Sequence, residues 1–547
     1  MPIALVSKAL DVRQRSVLCA IGIAAMVFLL LCAVYRRAPI AFLRAESGLY
    51  LCISQSTELI QHRFERELVT GSYRGHWTPL GFLAEFWTTK LIGARGTAWH
   101  YRQLLLLTGV GLASLMLVAK MVRSLGMGAG MQRSAAVAVC ALLLFQPLMF
   151  EFVVWPFMGL QLVWMILALV AGLSCVQLAN DPNAPRGIWL GAGAAYASLH
   201  VLGIGLAVTL ATAAVFLFLV MLSYRRDCAF KSVRRHLFVG AALLILLTCG
   251  HCLAMVLLLP QKNAAPAPSL IMGDVKLGLE FALRFVFAGL RSFTFSLHPV
   301  ANNYALEPTD DWRASPRLWL FGLSAFLAVA AIVYLTCRRA FSRPSPVRIV
   351  RASVVLFGAT GVGLLIVLMI SRQIMSEREP YGMLPFYTAM PRYIIPLQIF
   401  LIGPVILVAV SLAQRARTIF IYGCVAYALG ALVIQVQFER SPTALLTPQS
   451  RVSHRAAWRQ LVEAARECRA AGVPLPNFPL TALTEEWPNT EVKMFGPGLQ
   501  REVGAAPEKQ VDLISVEEYR SADRQAWKAT PAVAKFESLL EQAQPGK

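Results

Sequence analysis

The chain has 547 residues, of which 57% are hydrophobic and 15% charged, and its mean hydropathy is +0.59. That composition excludes a soluble globular protein and places the chain among polytopic membrane proteins. The formal net charge of +21 arises almost wholly in the apolar portion. Membrane topology and anionic inner-leaflet lipid account for it without a nucleic-acid partner.

Apolar stretches able to cross the hydrocarbon, about 20 residues each, fall in chain order near 16–35, 103–121, 134–150, 153–179, 187–202, 203–223, 237–260, 317–336, 352–371, 394–413 and 418–437. The first is long and lacks a small-residue cleavage site, so it reads as a retained span rather than a removed signal peptide. Basic residues crowd alternate joints: Lys8, Arg13 and Arg15; Lys120, Arg123 and Arg133; Arg225, Arg226, Lys231, Arg234 and Arg235; Arg338, Arg339, Arg343 and Arg348; Arg415 and Arg417. The positive-inside rule makes these joints cytoplasmic, with the N-terminus inside and the C-terminus outside. Segment 187–223 lies between two such joints, Arg186 and Arg225, and must therefore cross an even number of times. Its length as helix, roughly 55 Å, suffices for two short crossings with Ser198–Gly203 as the outer hairpin tip.

Three regions then lie outside: a first loop over 36–101, a middle loop over 261–316 and a tail over 438–547. The middle loop carries Leu277, Leu279, Phe281, Phe285 and Leu290 with Arg284 and Arg291 among them, the pattern of a helix lying along the interface. The tail opens with a helix predicted over Ala456–Ala471. Turns at Pro474, Pro476, Pro479, Pro488 and Pro497 follow, and a last helix lies near Ala532–Gln542. The eleven cysteines lie mainly within spans, with Cys52 and Cys468 as outer-face candidates, so no disulfide framework is implied. The fold class expected is an all-α polytopic membrane protein with about 11 transmembrane helices over residues 1–437 and a small C-terminal domain over 438–547.

No expected span has an acidic residue in its middle, so chemistry at one membrane surface fits better than charge movement through the bilayer. Glu46, in Arg44-Ala45-Glu46-Ser47-Gly48, follows the first span closely enough to stay near the interface; the plain alternative is a solvated loop acid. Glu151 sits among apolar residues in Phe150-Glu151-Phe152-Val153-Val154-Trp155-Pro156, either as a reactive carboxyl or as a partner for a helix-end arginine. The first loop also holds Arg74-Gly75-His76-Trp77-Thr78-Pro79-Leu80, where His76 either hydrogen-bonds a phosphate or sugar or is structural. Trp77, Trp87, Trp99 and Tyr101 suit a headgroup-level belt. Pro391-Arg392-Tyr393-Ile394-Ile395-Pro396 opens a late span from outside. Its arginine fork suits a lipid-linked phosphate, ordinary snorkelling being the alternative. Cys249-Gly250-His251-Cys252 looks like a metal cluster, but one helix cannot supply a tetrahedral set. Asp310-Asp311 is an adjacent acid pair outside, read as a turn with a weak metal alternative. Phosphate-cradling glycine loops, His-Glu-x-x-His and Gly-x-Ser-x-Gly are absent.

Across 16–440 the ordered layout resembles the GT-C membrane glycosyltransferases, which include protein O-mannosyltransferases and the bacterial aminoarabinose transferase. Glu46 falls where the family places its first-loop acid, and Gly75-His76-Trp77-Thr78-Pro79-Leu80 is similar to its His-x-x-Pro segment. Glu151-Phe152-Val153-Val154-Trp155 is similar to a Glu-x-x-x-Trp stretch, and Arg392-Tyr393-Ile394-Ile395-Pro396 to an Arg-Tyr-x-x-Pro element. Many members carry an acidic pair at the motif position of the first loop that Glu46 occupies alone here. Relatives often have an acid near the hairpin tip, where this chain has Ser198-Leu199-His200.

The resemblance implies transfer of a sugar from a polyprenyl-phosphate donor to a glycan, lipid or protein acceptor at the periplasmic face of a bacterial inner membrane. The loops over 36–101 and 261–316 and the domain over 438–547 would be periplasmic. Glu46 is expected as general base. Arg392 and Tyr393, with His76 or Arg74 and with His200, would hold the donor phosphate or substrate. Glu151 would orient the acceptor or an arginine. No cofactor is assigned; a divalent metal lacks its second first-loop acid here. A transporter or flippase, or a non-catalytic envelope-assembly protein, is the alternative reading.

Overall fold

The computed structural model describes residues 12–36, 38, 40, 45–54, 58–70, 77–181, 185–225, 229–258, 316–376, 391–412, 414–440 and positions 463, 466, 467 and 470. Among the described residues regular structure is entirely helical. The helices are α1 (Val12–Val34), α2 (Ala45–Ser54), α3 (Glu58–Thr70), α4 (Pro79–Ile92), α5 (Gly96–Ser124), α6 (Ala129–Leu144), α7 (Phe150–Val154), α8 (Gly159–Asn180), α9 (Pro185–Val201), α10 (Gly205–Ser223), α11 (Arg234–Leu258), α12 (Pro316–Ser342), α13 (Pro346–Ser376), α14 (Pro391–Ser411) and α15 (Gln414–Arg440). Several begin on proline, whose fixed φ suits the first helical position and whose missing N–H costs nothing there.

Among the described residues, seven segments are long and apolar enough to cross a membrane: Val17–Val34, Gly96–Ser124, Pro156–Asn180, Gly205–Ser223, Arg234–Met255, Pro346–Leu368 and Ile394–Ser411. The protein is thus a multi-pass, all-α membrane protein. The other expected stretches also fall on helices. Stretch 134–150 begins in α6, and 187–202 covers most of the 17-residue α9 and the first residue of the turn after it, while 317–336 and 418–437 lie inside the 27-residue helices α12 and α15. The middle-loop helix over 277–291 and the acid pair Asp310-Asp311 lie outside the described residues, as does most of the tail.

At the centre stands α8, contacted by α5, α9, α10, α13 and α14. Its Trp164 is fully buried and meets Phe400 of α14 edge-on, with ring centroids 6.2 Å apart. The hairpin expected at Ser198–Gly203 is present as a turn between α9 and α10. Gly205 lets the backbones close, because a side chain there would strike the carbonyl of Ser198. The Thr209 hydroxyl donates to the Ala195 carbonyl at 2.9 Å across the pair.

The connection from α6 to α8 differs from expectation. Rather than two spans almost abutting near 150, residues 145–158 form an irregular bridge. It comprises a 3-10 turn at Pro147–Met149, the short α7 and a second 3-10 turn at Pro156–Met158. Two prolines explain it, since each removes a helical donor and crowds the preceding turn. The described part of the first loop is helical. Helices α2–α4 dock on the start of α8 through Tyr50, Ile53, Phe64, Leu68, Phe82, Phe86 and Leu160.

Candidate functional site

The irregular bridge is the organising feature, because its backbone polar groups need partners and find them on neighbouring elements. Arg102, near the start of α5, donates through Nη1 to the Pro156 carbonyl at 2.8 Å and to Glu85 Oε1 at 3.1 Å. Its Nη2 forms an ion pair with the other Glu85 oxygen. Gly159 leaves room for the guanidinium, since a Cβ there would overlap it. The next residue, Gln103, donates through Nε2 to the carbonyls of Phe152 (2.6 Å) and Trp155 (3.1 Å). On the opposite side the Phe157 N–H donates to Ser47 Oγ at 3.0 Å. Two turns of helix thereby pin the bridge to the first loop.

Glu85 projects from the inward face of α4 and is only 2% exposed. Burial pushes its carboxyl above the ordinary glutamate value, and the Arg102 guanidinium works against that rise.

Both expected carboxyls belong to this assembly. Glu46 is buried in the first turn of α2, beside Ser47, and Glu151 is buried in the first turn of α7. The segments that carry them meet at the Trp155–Phe157 turn. Arg102 takes Glu85 as its carboxylate partner. Sequence reasoning passed over Glu85. The available signal was an acid set within the apolar run Gly81-Phe82-Leu83-Ala84-Glu85-Phe86-Trp87, with an arginine downstream.

Arg392 and Tyr393 occupy the second and third positions of α14, and their side chains lie outside the described residues. Their helix is anchored to the same bridge: Gln398 and Gln146 exchange side-chain hydrogen bonds of 2.8 and 3.0 Å, both residues being buried. Arg74 and His76 lie outside the described residues; Trp77, which follows His76, is described.

A second cluster adjoins the N-terminal end of α4. His200 at the hairpin tip and His251 of α11 face each other with ring centroids 5.3 Å apart. Trp77 lies 6.0 Å from the first and 5.0 Å from the second, and Tyr196 lies 4.6 Å from His200. Both imidazoles are buried, and their four ring nitrogens lack hydrogen-bond partners. Gly81 brings α4 against the hairpin, for a Cβ there would meet the Val201 carbonyl. From Thr78 to Glu85 the axis advances about 10 Å, so α4 connects the histidine cluster to the arginine hub. The pairing of His251 with His200 was not foreseen. Cys249 and Cys252 are exposed while His251 is buried, so the Cys-Gly-His-Cys run is divided between helix faces. Among the described residues no three His, Cys, Asp or Glu side chains converge as a metal site.

At the other end of the bundle the basic joints gather. Arg417 Nη1 lies 3.2 Å from the Met127 sulfur, joining the α14–α15 and α5–α6 turns. The carboxylates and histidines described above are all at the opposite end. No family model matches the chain, and no curated protein or solved structure is similar to it.

Proposed function

We propose that the chain is a membrane glycosyltransferase that moves a sugar from a polyprenyl-phosphate donor to an envelope glycan, lipid or protein on the periplasmic side of a bacterial inner membrane. The observation that carries this reading is the meeting of the Glu46 and Glu151 segments at one turn, at the end of an apolar bundle opposite the Arg417 joint. The seven candidate spans contain no aspartate or glutamate, which disfavours ion-coupled transport through their middle.

In the proposed step Glu46 takes the proton from an acceptor hydroxyl as its oxygen attacks the anomeric carbon. The bond from that carbon to the phosphate oxygen breaks, and its electron pair leaves with the polyprenyl phosphate. Inversion at the sugar carbon follows from displacement by a single attack. Arg392, with Tyr393 and the Arg74–His76 segment, offsets charge on the leaving phosphate. Glu151 orients the acceptor, and His200 with Trp77 offers imidazole nitrogens and an indole face to the sugar. The cytoplasmic N-terminus, the periplasmic C-terminus and the full count of eleven crossings belong to the same proposal.

Glu46→Gln tests the reading. Losing a general base lowers transfer by about 100- to 10,000-fold, with insertion and yield unchanged. Mass spectrometry of envelope glycans and lipid-linked intermediates should then show the polyprenyl-linked donor accumulating. Unchanged acceptor modification by Glu46→Gln would remove Glu46 as the base; no change in any envelope glycan on deleting the gene would remove the glycosyltransferase.

A further inference from the structure

Helix α4 is amphipathic in an unusual sense. Its inward face holds Gly81, Phe82, Glu85, Phe86 and Thr89, all buried, and includes its one carboxylate. The outward face is Leu80, Ala84, Trp87 and Leu91, all exposed, at the i, i+4, i+7, i+11 spacing of a single stripe. Leu80 is 60%, Trp87 58% and Leu91 76% exposed. A water-facing helix would carry the reverse arrangement.

The neighbouring helix supplies the contrast. On α3 the exposed positions are mostly polar, Glu58, His62, Arg63, Arg66, Glu67 and Thr70, with Leu59 and Val69 the apolar exceptions. Trp87 stands at the seam between the two. Its indole N–H donates to Glu65 Oε1 on α3 at 3.1 Å, while most of its ring remains uncovered. Indole rings take this posture at a membrane–water boundary, with the apolar body in the acyl region and the N–H turned to the polar side. Lys90 is exposed at the flank of the stripe, where its stem can lie along lipid and its ammonium reach a headgroup. At Gly93, with φ +60°, the chain reverses and enters α5. The exposed Tyr101 and Leu105 give the early turns of that membrane span an apolar outer surface as well.

We infer that the Leu80–Ala84–Trp87–Leu91 face of α4 is bedded in bilayer lipid at the headgroup–acyl boundary. Part of the first outer loop is thus an interfacial element rather than a water-borne one. The occupant is membrane lipid because α4 leads, after the short Gly93–Arg95 connection, directly into the membrane span α5, and the polar face of α3 adjoins the stripe at Trp87. The Glu85–Arg102 pair, one helix thickness behind the stripe, then lies at headgroup depth, and the site beside it is approached from the lipid. This inference needs only the membrane character of the chain, not the proposed transferase.

The test is photocrosslinking of the full-length protein in native membranes, with a benzophenone-bearing amino acid replacing Leu91, Trp87 or, as the water-facing comparison, Arg63. Size-exclusion profiles after extraction confirm that each protein is folded. Positions 87 and 91 should yield phospholipid adducts by mass spectrometry, several-fold above position 63. Three outcomes would overturn the inference. One is a crosslink from position 91 to a second copy, and another is a crosslink to a different segment of this chain. The third is lipid labelling no greater at 91 than at 63.

Discussion

Arg102 is the residue on which the site's geometry turns, because it satisfies a carbonyl of the proline-broken bridge and a buried carboxylate together. Arg102→Met should leave Glu85 buried without its counter-charge, a loss of about 3–5 kcal/mol read as a fall in Tm in detergent. The double variant Glu85→Leu/Arg102→Met should recover most of it, since a packed apolar pair can replace a buried ion pair. A single variant no less stable than the double would show that the pair is not under this constraint. The glutamine pair offers a neutral counterpart: Gln146→Leu removes both hydrogen bonds it exchanges with Gln398 and should cost about 1–3 kcal/mol. Gln146→Leu/Gln398→Leu should lie near the parent in the same melting experiment.

At the scale of elements, the arrangement depends on places where backbones touch. Gly81 sets α4 against the hairpin, and Gly205 closes the hairpin itself; a methyl at either meets a carbonyl rather than a yielding side-chain tip. Gly81→Ala and Gly205→Ala are each expected to destabilise by about 1–3 kcal/mol, measured by thermal unfolding. Gly22→Ala and Gly250→Ala, with open space around the added carbon, should match the parent. The bridge between α6 and α8 follows the same logic from the opposite direction. Pro147 and Pro156 deny it helical hydrogen bonds, so its carbonyls are free for Arg102 and Gln103.

For the whole molecule, the placement of the basic joints is the main organising fact. The basic joints lie at one end, and Glu46, Glu85, Glu151, His200 and His251 at the other. Alkaline phosphatase fused within 261–316 or after 440 should be active, and fused after 225 or 342 inactive. Active enzyme after 225 would invert the proposed orientation.

Membrane residence, the positions of the long helices and the hairpin at Ser198–Gly203 were legible from the sequence alone. Hydropathy, charge bias and glycine placement are local quantities that act on a segment wherever it packs. Glu46 and Glu151 could be singled out for the same reason, from their immediate neighbours. Which side chain meets which was decided only by the tertiary structure: Glu85 with Arg102, Gln146 with Gln398, His200 with His251. Each such partner is selected by helix crossing and rotation, and one residue of register turns a side chain by about 100°. That rotation decides whether a group faces lipid or protein, and it is why the apolar outer stripe of α4 and its buried glutamate emerged only once the helix was packed.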